Sequence, residues 1–304
     1  PPSSGGVHLL QMLNILERWD LQSLGHNSAA YIHRLVESMR RAYADRSAYL
    51  GDPDFYSVPV KQIIDKRYAK KLRRQIDLEQ ASSSDNVLPG LPIDPKTLVK
   101  GIKKAGAESI ETTHISTWDQ WGNVVSTTTT LNFSFGSGIS VSGAGFLLNN
   151  EMDDFSAKPG SPNGYGLIGG VANEIQPGKR PLSAMTPTIV FDQKGAPILA
   201  TGSPGGSTII TAVLQVLLNI LEFDMGIADA TAAPRIHHQW LPDRIEYEPG
   251  ISPDTLNLLK KMGHSLDDKP RILGSTQTVH RGPKGSTMGA SDTRRDGAGA
   301  VAQK

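Results

Sequence analysis

The sequence predicts an α+β fold, with strands covered by helices, on three observations. Apolar side chains recur at helical spacing over 7–19 (VHLLQMLNILERW) and again over roughly 27–44. At Thr112 the character turns to β, with Thr- and Val-rich runs at 112–118 and 123–132. A strongly apolar stretch at 208–222 (TIITAVLQVLLNILE) then returns to helical spacing. The order is helices, linker, strands, helices, and not the regular alternation of a βαβ sheet.

Between the first helices and the strands, 50–60 (LGDPDFYSVPV) is turn-rich, with Pro53 and Pro59 as breakers. A basic helical stretch over about 61–77 reads as a solvated face. Residues 79–110 (EQASSSDNVLPGLPIDPKTLVKGIKKAGAESI) have the composition of a linker, which cannot bury enough surface to order itself alone. Exposed segments of this kind are also preferred cleavage sites. The two runs from Thr112 form a hairpin around Asp119–Asn123, and Ile139–Leu148 is expected to add a strand. Residues 149–183 are a Gly/Pro/Asn-rich excursion, too long for an idle connection and expected to act as a lid. Ile189–Phe191 and Ile198–Thr201 read as strands, followed by the apolar helix, a weaker helix at about 253–262 and a β-like tail.

Composition narrows the classes of function. The 304 residues carry a net charge of +1 with acids and bases interspersed, so nucleic acid is not an expected partner. No run approaches the ~20 apolar residues of a membrane helix. Cysteine is absent, which excludes thiolate catalysis and disulfides. The chain opens at Pro1-Pro2-Ser3-Ser4-Gly5-Gly6, without an initiator Met or a signal-like segment. It reads as the continuation of a longer protein.

Four features carry chemistry. Thr112 follows the linker directly, where cleavage after Glu111 would expose a threonine with a free α-amine. Such an amine, of pKa near ~8, is a base able to take the hydroxyl proton. Thr130 and Asn132 end the partner strand, so the hairpin brings Thr130 back beside Thr112, where its hydroxyl can hold the nucleophile. Asn149-Asn150-Glu151-Met152-Asp153-Asp154 offers carboxylates and amides suited to an ammonium group, or alternatively an acidic loop or a cation site. Ser203-Pro204-Gly205-Gly206-Ser207 precedes a helix, where glycine N–H groups can serve a phosphate or a transition-state oxyanion. No phosphate-loop motif accompanies it. His237-His238 lacks a third ligand at metal spacing and, like His114, reads as structural.

Together these residues resemble the γ-glutamyltransferase (γ-glutamyltranspeptidase) family of N-terminal-nucleophile hydrolases. The resemblance runs through PPSSGG, YADRSAYLGDPDF (Tyr43–Phe55), TTH, TLN, LLNNEMDDFSAKPG, GKRPLSAMTPT, TGSPGGS, APRIHHQWLP and GASDTRRDG, in that order. It implies an αββα four-layer sandwich and a precursor that cuts itself between Glu111 and Thr112. Residues 1–111 would be the C-terminal part of a large subunit, ending in the linker at roughly 79–111, and residues 112–304 the small catalytic subunit. Thr112 would attack the γ-carbonyl of glutathione or another γ-glutamyl compound. The acyl group would pass to water or to an amino acid or peptide acceptor, without a cofactor or metal.

By the family pattern, Thr130 supports the nucleophile and the N–H groups of Gly205 and Gly206 form the oxyanion hole. Asn132, Glu151 and Asp154 surround the α-amino group, and Ser183 contacts the α-carboxylate. Pro159 to about Gly170 matches the bacterial lid, with Tyr165 as its gating aromatic. A periplasmic or secreted location is implied by the family alone. Two departures stand out. Ser183-Ala184 replaces the usual Ser-Ser, and the family's carboxylate-binding arginine lies in the large-subunit part that this chain lacks, so these 304 residues alone are expected to be poorly active. A cephalosporin or glutaryl acylase is the neighbouring enzymatic reading, and a non-maturing ligand-binding homologue is the reading from another class.

Overall fold

The protein is described from a computed structural model over residues 1–93, 112–282, 285–295 and 299–302. Glu111 and residues 94–110 of the expected linker lie outside the described residues. The chain forms two compact units that interleave along the sequence. One takes the chain up to residue 93 with Glu151–Ala184 and Pro234–Arg271; the other takes Thr112–Asn150, Met185–Ala233 and the chain from Ile272.

The helical repeats at the start of the first unit fold as α1 (Gly5–Leu16), the short α2 (Leu21–Leu24) and α3 (Ala29–Tyr49). Ser28 caps α3 by accepting a hydrogen bond from the Tyr31 N–H. α3 runs five residues past the expected end and is buried along almost its whole length. The stretch at 61–77 is not one helix but two, α4 (Val60–Ile63) and α5 (Lys66–Arg73), broken where the Asp65 side chain caps the second by accepting from the Arg67 N–H. Only one face of α5 is solvated. Tyr68, Ala69 and Leu72 pack with Ile15 and Ile76 in a small core, and the lysines point away from it.

The first half of the expected linker is ordered by what it packs against. Trp240 Nε1 donates to the carbonyls of Ser84 and Val87, both at 3.0 Å. The Gly90 N–H donates to Asp45 Oδ1 at 2.9 Å and the Leu91 N–H to the Tyr49 hydroxyl at 3.0 Å. Polar composition fails to predict order here because long-range partners satisfy the backbone. A two-stranded ribbon, β5 (Ile236–His237) with β6 (Glu246–Tyr247), and a helix at Pro253–Lys261 complete this unit.

In the second unit, β1 (Thr112–Trp118) and β2 (Val124–Thr130) pair antiparallel as expected, with Thr112 opposite Thr130 and Trp118 opposite Val124. Asp119 Oδ1 closes the turn by accepting from the Trp121 and Asn123 N–H groups. The other strands, β3 (Thr188–Phe191), β4 (Pro197–Gly202), β7 (Gln277–Arg281) and β8 (Thr287–Ser291), form one antiparallel sheet in that order. The hairpin lies on this sheet. Ser126 Oγ donates to the Thr201 carbonyl at 3.0 Å and Ser116 Oγ to the Gln277 carbonyl at 2.9 Å. The helices α6 (Ile209–Leu221) and α7 (Ile227–Ala232) pack on the same sheet, giving a helix layer over two sheet layers. The expected strand at Ile139–Leu148 is instead a tight loop with a single Ser140–Leu147 bridge. Its glycines 143 and 145 have φ values of 78° and 72°, which no extended strand accommodates.

Candidate active site

Strand pairing in the second unit places the predicted nucleophile and its partner together. Thr112 heads β1 and is buried at 6 % exposure, and its Oγ1 donates to Thr130 Oγ1 at 3.1 Å. The Asn132 N–H donates to the same Thr130 oxygen at 2.9 Å, so this hydroxyl organises both neighbours. Asn132 itself sits at φ 76° and donates from Nδ2 to the Asn150 carbonyl at 3.2 Å. Arg295 was not singled out from the sequence beyond its place in GASDTRRDG. It donates from Nη1 to the Thr112 carbonyl at 2.7 Å and fixes the start of the strand from the other side. Its neighbour Arg294 donates to the carbonyls of Thr231, Ala232 and Ala233, which end α7.

A cleft of about 340 Å³ runs along β1 and is lined by Thr112, His114, Pro204 and Arg295, among others. A second cleft, of about 280 Å³, lies on the Thr130 side and again includes Thr112 and Arg295. Thr112 therefore stands between two openings, one of them bounded by the residue that precedes Gly205. Gly205 and Gly206 have φ values of 129° and 54°, both in the region that favours glycine, and they lead through the turn Gly206–Thr208 into α6. Both residues are buried, and this backbone form just ahead of a helix is compatible with an oxyanion hole.

His114 lies between the stacked sheets. Its Nδ1 pairs with Thr128 Oγ1 at 2.8 Å and its Nε2 with Ser116 Oγ at 2.9 Å, and burial pushes its pKa down to about 4. A neutral ring held this way is a packing element of β1.

The first unit carries the other predicted residues. Glu151, Asp153 and Asp154 share the single turn Glu151–Asp154. Burial, and then the neighbouring Glu151 carboxyl, push Asp154 up to about 7, while the Arg46 cation opposes the rise. Burial also raises Glu151. A neighbouring carboxyl disfavours the second negative charge, so the pair favours protonation of one of its members. Asp153 Oδ2 accepts from the Gly164 N–H at 2.9 Å, and the Gly160 N–H donates to the Gly169 carbonyl at 2.9 Å, closing the expected lid loop at its base. Tyr165 in that loop is buried, and its carbonyl accepts from Gln239 Nε2 at 3.2 Å. Ser183 lies outside any helix or strand, and its carbonyl accepts from the Ser4 N–H and Oγ, both at 2.8 Å.

The structure also groups His33, Glu37 and His264, which sequence spacing did not suggest. The Glu37 carboxylate is taken by Arg40 and Arg41, and His33 Nδ1 bonds directly to His264 Nε2 at 2.7 Å. Two guanidinium groups on the one carboxylate make this a buried ion-pair cluster and a poor place for a cation. His237 and His238 are likewise internal, bonded to Gln239 and Asp243.

A threonine heading a strand of two stacked sheets, with a glycine turn into the covering helix, is the arrangement of the N-terminal-nucleophile class. The chain belongs to the gamma-glutamyltranspeptidase family, whose model matches residues 1–302. It is 51 % identical over 294 residues to the glutathione hydrolase proenzyme of Escherichia coli (strain K12), a match covering 97 % of this chain and 48 % of that protein. The chain thus spans about half the length of the curated relatives it matches. A mutant gamma-glutamyltranspeptidase chain from Helicobacter pylori aligns at TM-score 0.58 and 51 % identity, covering 60 % of this chain and 100 % of that one. A cephalosporin acylase from Bacillus halodurans aligns at TM-score 0.79 and 25 % identity, over 100 % of this chain and 50 % of that one. The fold is therefore the α+β sandwich type of the N-terminal-nucleophile hydrolases.

Proposed function

We propose that the protein carrying this chain is a γ-glutamyltransferase and glutathione hydrolase that matures by cutting itself between Glu111 and Thr112. The observation that carries this reading is Thr112 at the head of β1, with its Oγ1 3.1 Å from Thr130 Oγ1 and its carbonyl held by Arg295. A solved family chain wholly covered by 60 % of this one has roughly the share that residues 112–304 make up, which supports a separate small subunit. The E. coli relative is a proenzyme by name, which supports the same step.

In the mature protein the Thr112 α-amine takes the Oγ1 proton as the oxygen attacks the γ-carbonyl carbon. The carbonyl oxygen becomes an oxyanion facing the Gly205 and Gly206 N–H groups. Collapse breaks the C–N bond, and the leaving amine departs with the proton held by the α-amine, leaving a γ-glutamyl ester on Thr112. Water then regenerates the hydroxyl with release of glutamate, or the amine of an amino acid or peptide takes the acyl group. Asn132, Glu151 and Asp154 receive the substrate ammonium, Ser183 meets its carboxylate, and the loop bearing Tyr165 covers the site. The remainder of the large subunit supplies the cationic partner of the carboxylate. A periplasmic or secreted location accords with extracellular glutathione as substrate.

The test is turnover of a γ-glutamyl anilide by the full-length protein and its loss in Thr112→Ala. The likeness to a cephalosporin acylase, together with Ala184 in place of a second serine donor, favours a second reading in which the acyl group is glutaryl. Turnover of a glutaryl anilide with no reaction of the γ-glutamyl anilide would select it.

A further inference from the structure

Two buried side chains without a role in the scheme above link the Glu151–Asp154 turn to Ser183. Asn173 donates from Nδ2 to the Asp154 carbonyl at 2.7 Å and accepts at Oδ1 from the Leu182 N–H at 3.0 Å. Arg46, near the end of α3, donates from Nη2 to the Leu182 carbonyl at 3.3 Å and from Nε to Ser4 Oγ at 3.0 Å. Ser4 in turn donates to the Ser183 carbonyl. The Arg46 charge also bears on Asp154. The two segments are thus joined twice, through an amide that bridges their backbones and through a guanidinium set against both.

We propose that Arg46 and Asn173 are positioning residues that fix the spacing of the carboxylate turn and Ser183, so that the site selects an acyl donor bearing both charges of an α-amino acid head group. The proposal rests on the function proposed above and deepens it. Glu151 and Ser183 are separated by 31 intervening residues rich in Gly and Pro, and such a segment does not by itself hold its ends at fixed spacing. A head group with ammonium and carboxylate on one carbon requires acceptors and donors at one separation, and a small misplacement loses much of the gain.

The chemistry of each side chain suits the task. Asn173 uses its donor and its acceptor on opposite segments, which neither Asp nor Ala reproduces. Arg46 is a cation at 4 % exposure whose hydrogen bonds go to neutral oxygens, so it needs a nearby negative charge. Ionised Asp154 is one source of that charge. The groups facing Asp154 are Glu151 and Asp153 on its own turn and Arg46 from α3. The two carboxyl groups favour the protonated form, and Arg46 alone of these favours the ionised form that an ammonium ligand requires.

The experiment uses the full-length protein and three anilides: γ-glutamyl, glutaryl (no ammonium) and 4-aminobutyryl (no α-carboxylate). For Asn173→Ala the proposal expects KM for the γ-glutamyl anilide to rise about tenfold or more, with kcat changed less than about threefold. The two single-charge anilides should change by less than about threefold. Arg46→Lys should give the same substrate pattern with the acid limb of kcat/KM in place. Arg46→Gln should move that limb to higher pH, because Asp154 loses its cation. Equal losses on all three anilides, or none on the γ-glutamyl compound, would overturn the proposal. Melting temperature and release of the Thr112 N-terminus report folding, and if Asn173→Ala does not fold, Arg46→Lys carries the substrate test. No turnover of the γ-glutamyl anilide by the unaltered protein would instead refute the underlying function.

Discussion

Replacing Gly202 by alanine tests how closely β1, and with it Thr112, depends on the sheet beneath. Gly202 ends β4, and a Cβ placed there would fall within 3.0 Å of three atoms of the His114 ring. The ring has little freedom to move, because Thr128 and Ser116 hold its two nitrogens. If the ring leaves, two hydrogen bonds are lost, at about 0.5–1.5 kcal/mol each. If it stays, the two sheets must separate, and overpacking of this kind costs about 1–3 kcal/mol. Either route predicts a loss of roughly 1–3 kcal/mol and a fall in melting temperature of several degrees. His114 lies two residues from Thr112 on the same strand, so cleavage before Thr112 should slow as well. Thermal melts and a time course of the new N-terminus are the assays. Adding His114→Ala to Gly202→Ala should recover at least about 1 kcal/mol relative to the sum of the single losses, since the residues would be coupled through one contact. Strict additivity, or a Gly202→Ala protein within about 0.5 kcal/mol of the parent, would refute the reasoning.

The other predictions follow from single contacts. Asp154, pushed up to about 7, holds its proton more tightly folded than unfolded. The stability it contributes is therefore full below about pH 4 and lost as pH rises through about 7. An ammonium ligand needs the ionised form, so KM for a γ-glutamyl anilide should fall over the same rise, and Asp154→Asn should flatten that dependence. Asp52 behaves oppositely: Arg180 donates to it from its backbone N, Nε and Nη2 and holds its carboxyl well below the usual range. That stabilisation is present above the ordinary carboxylate pKa and is lost progressively as pH falls from there through the depressed folded value, so Asp52→Asn should cost about 1–3 kcal/mol at neutral pH and less near pH 2, read by urea melts. Thr130→Val removes the oxygen that accepts from Thr112 Oγ1 and the Asn132 N–H, and should lower kcat by about tenfold or more while the fold persists. Trp240→Phe removes the indole donor shared by the Ser84 and Val87 carbonyls and should lower stability by about 1–2 kcal/mol, seen in thermal melts.

The parts legible in sequence were those written in local pattern. The Thr/Val alternation of 112–132 gave the hairpin to within two residues, and the pairing of Thr112 with Thr130 followed from hairpin geometry. The period of 7–19 and the apolar run of 208–222 gave α1 and α6, though α1 ends three residues earlier, at Leu16. Helix capping within a basic run was harder to see, and Asp65 divides what looked like one helix. Ile139–Leu148 has strand-like residues, yet Gly143 and Gly145 at positive φ override them. The order of residues 79–93 depends on Trp240, Asp45 and Tyr49, which lie far away in sequence. Of the site, residue types suited to a nucleophile, an ammonium and an oxyanion were readable in short strings. Arg295, Arg46 and Asn173 were not, because each acts through a contact to a distant backbone group that no spacing rule encodes. The string DTRRD held the signal for the first of these, as two adjacent arginines beside an aspartate near the end of a chain otherwise balanced in charge.

The most direct measurement is the intact mass and N-terminal sequence of the full-length protein after expression. The account predicts two chains, one of them beginning Thr112-Thr113-His114. A single uncut chain, with Thr112 still joined to Glu111, would leave no α-amine to act as base and would contradict the proposed catalysis.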